Sequence, residues 1–188
     1  SMSTTDGENY TYSIDMPSDR VSSVSYHFYL VDTAGNQILT DDVDSRISDD
    51  DMPSIASMTL PSQMTTGDRH LFVISATDNI IVHSVNARII LPGGEIISEN
   101  GTLNPSNGKW EIDPEMPASV VGNASVMITI IDVAGNSYST GPVIIPVVDN
   151  DRPSLISDLS PSQVNCLDEF RYEVQVFDNI GINEVRLF

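Results

Sequence analysis

The sequence is poor in cysteine, in basic residues and in long apolar runs. Its 188 residues include one cysteine, Cys166, which excludes an internal disulfide and a cysteine-rich zinc site. Eight Lys and Arg residues stand against 27 Asp and Glu residues, giving a net charge of −19. This charge repels nucleic acid and anionic lipid surfaces, so neither is expected as a partner. No apolar run approaches the ~20 residues that cross a bilayer, so no membrane insertion is expected.

Helix-forming charged residues and catalytic motifs are also scarce. The acidic residues are 19 Asp and only 8 Glu, and Lys109 is the single lysine. Asp favours turns, whereas Glu and Lys favour helices, and no segment shows a sustained 3.6-residue apolar period. No Ser-His-Asp set, His-x-x-x-His pair or phosphate loop can be recognised. We therefore expect an all-β protein that is not an enzyme.

What the sequence does contain is an internal repeat with a register of one hundred residues. Residues 1–88 match residues 101–188 at 23 identical positions without a gap. The pattern Asp-x-Ala-Gly-Asn occurs at 32–36 and again at 132–136, and Met-Pro occurs at 16–17 and 116–117. The chain therefore consists of nearly two copies of one unit.

Alternating apolar and polar residues predict short strands within each unit. Inward-facing side chains are predicted in four strands: Phe72, Ile74 and Ala76; Val85, Ala87 and Ile89; Val126, Ile128 and Ile130; and Tyr26, Phe28 and Leu30. The sequence Pro-Gly-Gly at 92–94 predicts a hairpin after the second of these. About seven strands per hundred residues are typical of a β-sandwich.

Several short motifs resemble the immunoglobulin-like repeats that occur in tandem in bacterial and archaeal surface proteins. They are an Asp-rich linker with Pro at 49–53, Ala-Thr-Asp-Asn-Ile at 76–80, Gly-Lys-Trp at 108–110 and Asp-Val-Ala-Gly-Asn at 132–136. The linker at 148–153 also resembles the calcium-binding linker of cadherins. The resemblance implies immunoglobulin-like β-sandwich repeats of about 100 residues in tandem, each in contact with neighbouring repeats of the same protein.

Two divisions of the chain into domains fit this repeat. In the first, residues 51–150 form a complete repeat, residues 1–50 the C-terminal part of the preceding one, and residues 151–188 the N-terminal part of the next. In the second, residues 8–95 and 105–188 each form a sandwich. We favour the first, because Asp-rich segments with Pro are typical of linkers. It leaves two half-sandwiches with exposed edges, which a strand-swapped oligomer would cover.

Acidic side chains near the domain boundaries are the candidate metal ligands. In an immunoglobulin-like sandwich, the domain entry, the loop after the second strand and the loop before the last strand share one pole. This topology gathers a first group, consisting of Asp49, Asp51, Asp78, Asp132 and Asn136. The same reasoning places a second group at the next junction, consisting of Glu115, Asp149, Asp151 and Asp178. Calcium takes about six to eight oxygen ligands, so we expect calcium to stiffen the junctions.

Simpler interpretations stay open for the same residues. The Asp-x-Ala-Gly-Asn pattern is also what a tight turn requires, because Gly takes positive φ and Asp and Asn bond the loop backbone. An excess of Asp with little Lys is also typical of proteins adapted to high salt. Trp110 is expected to fill the core between the sheets, with a sugar-stacking platform as the alternative.

These features predict a non-catalytic structural or adhesion repeat, located extracellularly or at the cell surface, with a cell-surface or glycan ligand. Such an array would act by its length, projecting a terminal domain away from the cell. The alternative is a carbohydrate-binding or spacer module of a secreted hydrolase, which would need an exposed aromatic side chain.

Overall fold

The computed structural model describes residues 2–188, so Ser1 lies outside the described residues. Within this range the chain forms β-strands, turns and loops, and the all-β prediction is confirmed. The same range holds no helix long and apolar enough to cross a membrane.

Residues 2–50, called the N-terminal segment below, form three separate two-stranded sheets. The strands are β1 (Ser3–Thr4), β2 (Tyr10–Thr11), β3 (Ser22–Tyr26), β4 (Tyr29–Val31), β5 (Gln37–Leu39) and β6 (Val43–Ile47). β1 pairs with β2, β3 with β6 and β4 with β5, all antiparallel. An isolated two-stranded sheet is marginally stable in water, so this segment depends on further packing.

Residues 51–150, called the central sandwich, form two larger sheets. Their strands are β7 (Ser54–Thr59), β8 (Met64–Thr65), β9 (Phe72–Thr77), β10 (Val82–Ile90), β11 (Ile96–Asn100), β12 (Thr102–Asn104), β13 (Lys109–Ile112), β14 (Gly122–Asp132), β15 (Ser137–Ser139) and β16 (Val143–Val148). One sheet has the order β11-β10-β14-β16-β8, with β15 also paired to β14, and the other has the order β12-β13-β9-β7. The predicted hairpin at 92–94 joins β10 to β11.

The hydrophobic core lies between these two sheets. Its fully buried apolar side chains all come from residues 64–147, and they include eight of the predicted inward residues, namely Phe72, Ile74, Val85, Ala87, Ile89, Val126, Ile128 and Ile130. Ala76 is partly buried against them. Trp110 is also partly buried and packs against this core, which supports the core interpretation over an exposed platform.

Residues 151–188, called the C-terminal segment, form one two-stranded sheet. β17 (Ser154–Asp158) pairs antiparallel with β18 (Val174–Phe177). The strand pairs of β7 to β16 all stay within residues 51–150. That these three parts are domains or parts of domains stays a prediction.

Strand registers recur at an offset of one hundred residues. The pair β3 and β6 has the register of β14 and β16, and the pair β4 and β5 has that of β14 and β15. The pair β17 and β18 has the register of β7 and β9, including a bulge between Leu155 and Ser157 that matches one between Ile55 and Ser57. Similar residues at similar spacing therefore produce the same local pairing in both places.

The predicted burial of Tyr26, Phe28 and Leu30 is wrong. These side chains are between 41% and 51% exposed, although their equivalents in β14 are fully buried. In the central sandwich, β10 lies beside β14 and β9 belongs to the opposite sheet. Within residues 2–188, no strand occupies those two places next to β3 and β4, so the apolar side chains stay in contact with water.

Candidate metal centre at the first junction

Three predicted ligands meet where the N-terminal segment joins the central sandwich. Asp49 follows β6, Asp78 follows β9, and Asp132 ends β14. One carboxylate oxygen from each of the three residues lies within 4.8 Å of the other two. Asp132 is only 1% exposed, and the other two side chains are half-buried. The structure therefore gathers three negative charges at one partly enclosed point.

Asp132 is held in place by the turn that it opens. Its Oδ1 accepts hydrogen bonds from the backbone N–H groups of Gly135 at 2.6 Å and Asn136 at 2.8 Å, and its Oδ2 accepts one from Asn136 Nδ2 at 2.8 Å. Gly135 has a φ of 97°, which favours glycine. Burial opposes ionisation, but these hydrogen bonds outweigh it and lower the pKa of Asp132. The carboxylate is therefore charged at neutral pH.

Asp49 and Asp78 each use one oxygen in a local loop and leave the other without a partner. Asp78 Oδ2 accepts a hydrogen bond from the Ile81 N–H at 2.9 Å. Asp49 Oδ1 accepts bonds from the Asp51 N–H at 3.2 Å and Asn79 Nδ2 at 3.1 Å. Asp49 Oδ2 and Asp78 Oδ1 are buried and have no hydrogen-bond partner. Because a buried, unpartnered acceptor costs free energy, these two atoms fit a bound cation.

Two asparagine side chains connect the linker to its surroundings. Asn79 Nδ2 contacts Ser18 O at 2.8 Å, Asp49 Oδ1 at 3.1 Å and Asp51 Oδ2 at 3.2 Å. Asn136 Nδ2 donates to Asp49 O at 3.3 Å. Of the predicted first group, Asp51 is therefore connected to the cluster through Asn79. Asn136 faces the cluster with its Nδ2 group, which donates a hydrogen bond and is not a metal ligand. Sequence reasoning missed Asn79, although the Asp-Asn-Ile triplet recurs at 178–180.

The second junction repeats this asparagine network. Asn179 Nδ2 contacts Ala118 O at 2.6 Å, Asp149 Oδ1 at 3.4 Å and Asp151 Oδ2 at 3.0 Å. The Thr66 hydroxyl, which is buried, donates to the same two carboxylates. Asn179 Oδ1 is buried without a partner. Asp149 and Asp151 thus lie together around one amide, as Asp49 and Asp51 do.

The other two members of the second group are engaged elsewhere. Asp178 Oδ1 accepts hydrogen bonds from backbone N–H groups of its own loop, including that of Gly181 at 2.8 Å. Glu115 Oε2 lies 3.1 Å from Arg69 Nη2 in an exposed ion pair. Among residues 2–188, three acidic ligand atoms meet at the first junction and not at the second. Glu115 is thus separated from the acids with which we grouped it.

No basic side chain neutralises the first cluster within the described part of the chain. The ion pairs there involve other acids: Asp19, Asp42, Asp113, Glu115, Glu173 and Glu184. A cleft of about 230 Å³ is lined by Asp49 of the cluster, together with Arg20, Asp51 and Asn79. The three acids of the cluster therefore form no ion pair within residues 2–188, although Arg20 lines the cleft beside Asp49.

Comparison with known proteins gives a family match in the N-terminal segment. No curated protein matches the chain. The matching family model is described as a bacterial Ig-like domain. Domains of this kind are generally non-enzymatic and commonly occur in surface or secreted proteins. Residues 2–49 of this chain therefore match the family of bacterial Ig-like domains.

Proposed function

We propose that the chain is a non-catalytic structural module of a bacterial surface or secreted protein, in which calcium fixes the N-terminal segment against the central sandwich. The observation that carries this proposal is the meeting of Asp49, Asp78 and Asp132, two of which have a buried oxygen without a partner. The match to a bacterial Ig-like domain supports the structural role.

The three acids would hold the ion between two parts of the molecule. Asp49 comes from the linker, whereas Asp78 and Asp132 come from loops of the central sandwich. Their carboxylates supply at least three of the about six to eight oxygens that calcium requires, and the cluster contains no Cys or His that would favour a softer metal. Bound calcium would remove the mutual repulsion of the carboxylates and tie the linker to the sandwich.

A stiff junction gives the module its mechanical role. The asparagine network recurs at both junctions, which supports an array of similar units with similar joints. An array with fixed joints holds its far end away from its point of attachment. We assign such an array a role in adhesion, with neighbouring repeats and a cell-surface or glycan ligand as partners.

Calcium binding is tested on the EDTA-treated chain at constant ionic strength. The melting temperature is measured by the fluorescence of Trp110, which is the single tryptophan and belongs to the central sandwich. It is expected to rise when calcium is added. At calcium concentrations about 100 times Kd the added stability is about 2.7 kcal/mol. Calorimetric titration with calcium gives the affinity and stoichiometry.

Two matched variants locate the effect. Asp132→Asn is expected to abolish the calcium-dependent rise. Asp32→Asn changes the equivalent residue of the equivalent turn one hundred positions earlier, where no acidic cluster forms among the described residues. It is expected to keep the calcium-dependent rise.

A sodium chloride titration without divalent ions separates adaptation to high salt from calcium binding. If sodium chloride alone reproduces the rise and calcium adds nothing, the proposal is wrong.

A further inference from the structure

The loop at residues 65–70, called the His70 loop below, lies between the core of the central sandwich and the second junction. Met64, which comes directly before it in β8, is 0% exposed and belongs to the core. Thr66 is only 1% exposed, and its N–H donates to Val148 O at 3.0 Å, where β16 leads into the linker. A change in this loop therefore reaches both the core and the linker.

His70 closes the loop with a hydrogen bond from the backbone to its side chain. The Thr65 N–H donates to His70 Nε2 at 2.8 Å, and His70 is partly buried. Because Nε2 accepts this bond, it carries no proton, so the ring is neutral and its proton lies on Nδ1. The equivalent residue one hundred positions later is Phe170, which has no acceptor nitrogen. The bond therefore belongs to the central sandwich and is not a property of every repeat.

Protonation of the ring reverses the role of Nε2. Both nitrogens of an imidazolium carry a proton, so Nε2 would direct its own N–H at the Thr65 N–H. The ring would then turn toward an acceptor, and the carbonyl and hydroxyl oxygens of Thr65 lie 3.2 Å and 3.4 Å from Nε2. The Thr65 N–H loses its partner, which costs free energy where water does not replace it.

Thr66 carries this change to the second junction. Its hydroxyl lies 3.3 Å from Asp149 Oδ1 and 3.4 Å from Asp151 Oδ2, to which it donates. The same hydroxyl oxygen lies 3.3 Å from Asn179 Nδ2, which belongs to the C-terminal segment. A displacement of Thr66 therefore alters the contacts of the linker and of the C-terminal segment together.

Charged groups lie on each element that packs against the His70 loop. They are Asp68 and Arg69 of the loop itself, Asp113 and Glu115 of the segment whose Pro114 O accepts the His70 N–H, and Asp149 and Asp151 of the linker. Carboxylic acids titrate near about pH 4, and arginine stays charged. Hydrogen bonds from the Thr65 hydroxyl and the Asn150 amide lower the pKa of Asp68 further. Between about pH 7.5 and about pH 5.5 the His70 ring is therefore the group in this region that changes charge.

We propose that His70 is a pH-sensitive latch, whose neutral ring holds the His70 loop and, through Thr66, the second junction, and whose protonation releases both. The second junction is then stiff at neutral pH and looser in mildly acidic conditions. The latch uses neither the three-acid cluster at the first junction nor calcium, so it does not depend on the proposed function.

Nuclear magnetic resonance on the EDTA-treated chain tests the latch between about pH 7.5 and about pH 5.5. At the higher pH the His70 ring is expected to be neutral with an unprotonated Nε2. As the ring gains its proton, the protection factor of the Thr65 amide is expected to fall at least about tenfold. The Nδ2 resonances of Asn179 are expected to shift with the same midpoint. Asn79 makes the equivalent contacts at the first junction, and its resonances are the control and are expected to stay constant.

Three variants separate the latch from a general effect of pH. His70→Gln keeps an acceptor oxygen at the end of the side chain and is expected to keep the Thr65 amide protected at both pH values. His70→Phe has no acceptor and is expected to leave that amide poorly protected at both. His83→Gln changes an exposed histidine of β10 and is expected to keep the pH dependence. Constant Thr65 protection or constant Asn179 resonances while the native His70 ring titrates, or an undiminished pH dependence in His70→Gln, would overturn the proposal.

Discussion

The central sandwich and the terminal segments use the same strand registers but differ in burial. β14 pairs with β16 as β3 pairs with β6, yet the apolar residues of β14 are buried and those of β3 and β4 are exposed. The difference is the presence of the other half of the sandwich, which supplies β9 and β10 around the central core. Local sequence thus decides which residues pair, and a core forms only where both halves meet.

The two junctions differ in a similar way. The asparagine amide and the two linker carboxylates make the same contacts at both junctions. This is because the asparagine follows the two linker acids by 30 and 28 residues in both places. The three-acid cluster also needs Asp132, which comes from the far end of the unit. Within residues 2–188 the cluster is therefore found at the first junction.

The largest expected effect is the difference between two truncations at equivalent positions, Ile130→Ala in the central sandwich and Leu30→Ala in the N-terminal segment. Ile130→Ala removes a fully buried side chain and is expected to lower the free energy of unfolding of the central sandwich by about 2–5 kcal/mol. Leu30→Ala, at the exposed equivalent, is expected to lower it by less than about 0.5 kcal/mol. Urea unfolding followed by Trp110 fluorescence, in EDTA and at low protein concentration, measures both. Similar losses would contradict the difference in burial.

A smaller effect is expected where a glycine lies against the core. Gly101 N–H donates to Val85 O at 2.7 Å, and a Cβ added at Gly101 would lie 2.9 Å from that oxygen. Gly101→Ala is therefore expected to cost about 1–3 kcal/mol. Gly93→Ala is the control, because its added Cβ meets nothing within 4 Å. Equal melting temperatures for the two variants would show that the site tolerates a methyl group.

The smallest effect is expected at the turn of the N-terminal segment. Hydrogen bonds from the Asn36 side chain, and then from its backbone N–H, lower the pKa of Asp32. A carboxyl whose pKa is lower in the folded state stabilises fully above its unfolded pKa of about 3.9, and this contribution disappears as pH falls through the folded pKa. The protection factor of the Asn36 amide is expected to fall as the pH drops below about 3.9 and passes through the lowered pKa of folded Asp32. Asp32→Asn should remove this pH dependence.

Part of this structure could be read from residues close together in the sequence. The inward residues of β9, β10 and β14 follow from alternation, and the turn at 132–136 follows from Gly at a positive φ between Asp and Asn. Asn79 was missed because an Asn beside an Asp is typical of any loop. Its recurrence at 179 in the hundred-residue register was the available signal.

The sequence by itself determined the alternating strands and the turns, because these depend on side-chain alternation and backbone preferences within a few residues. Tertiary structure decided burial, since Val85 is 0% exposed and lies in β10, whereas the identical Val185 is 57% exposed and lies in no strand. It also decided which acids meet. The ends of β9 and β14 bring Asp78 and Asp132 close to Asp49, whereas Glu115 lies beside Arg69. The interaction between charges depends on their distance in space and not on their separation along the chain.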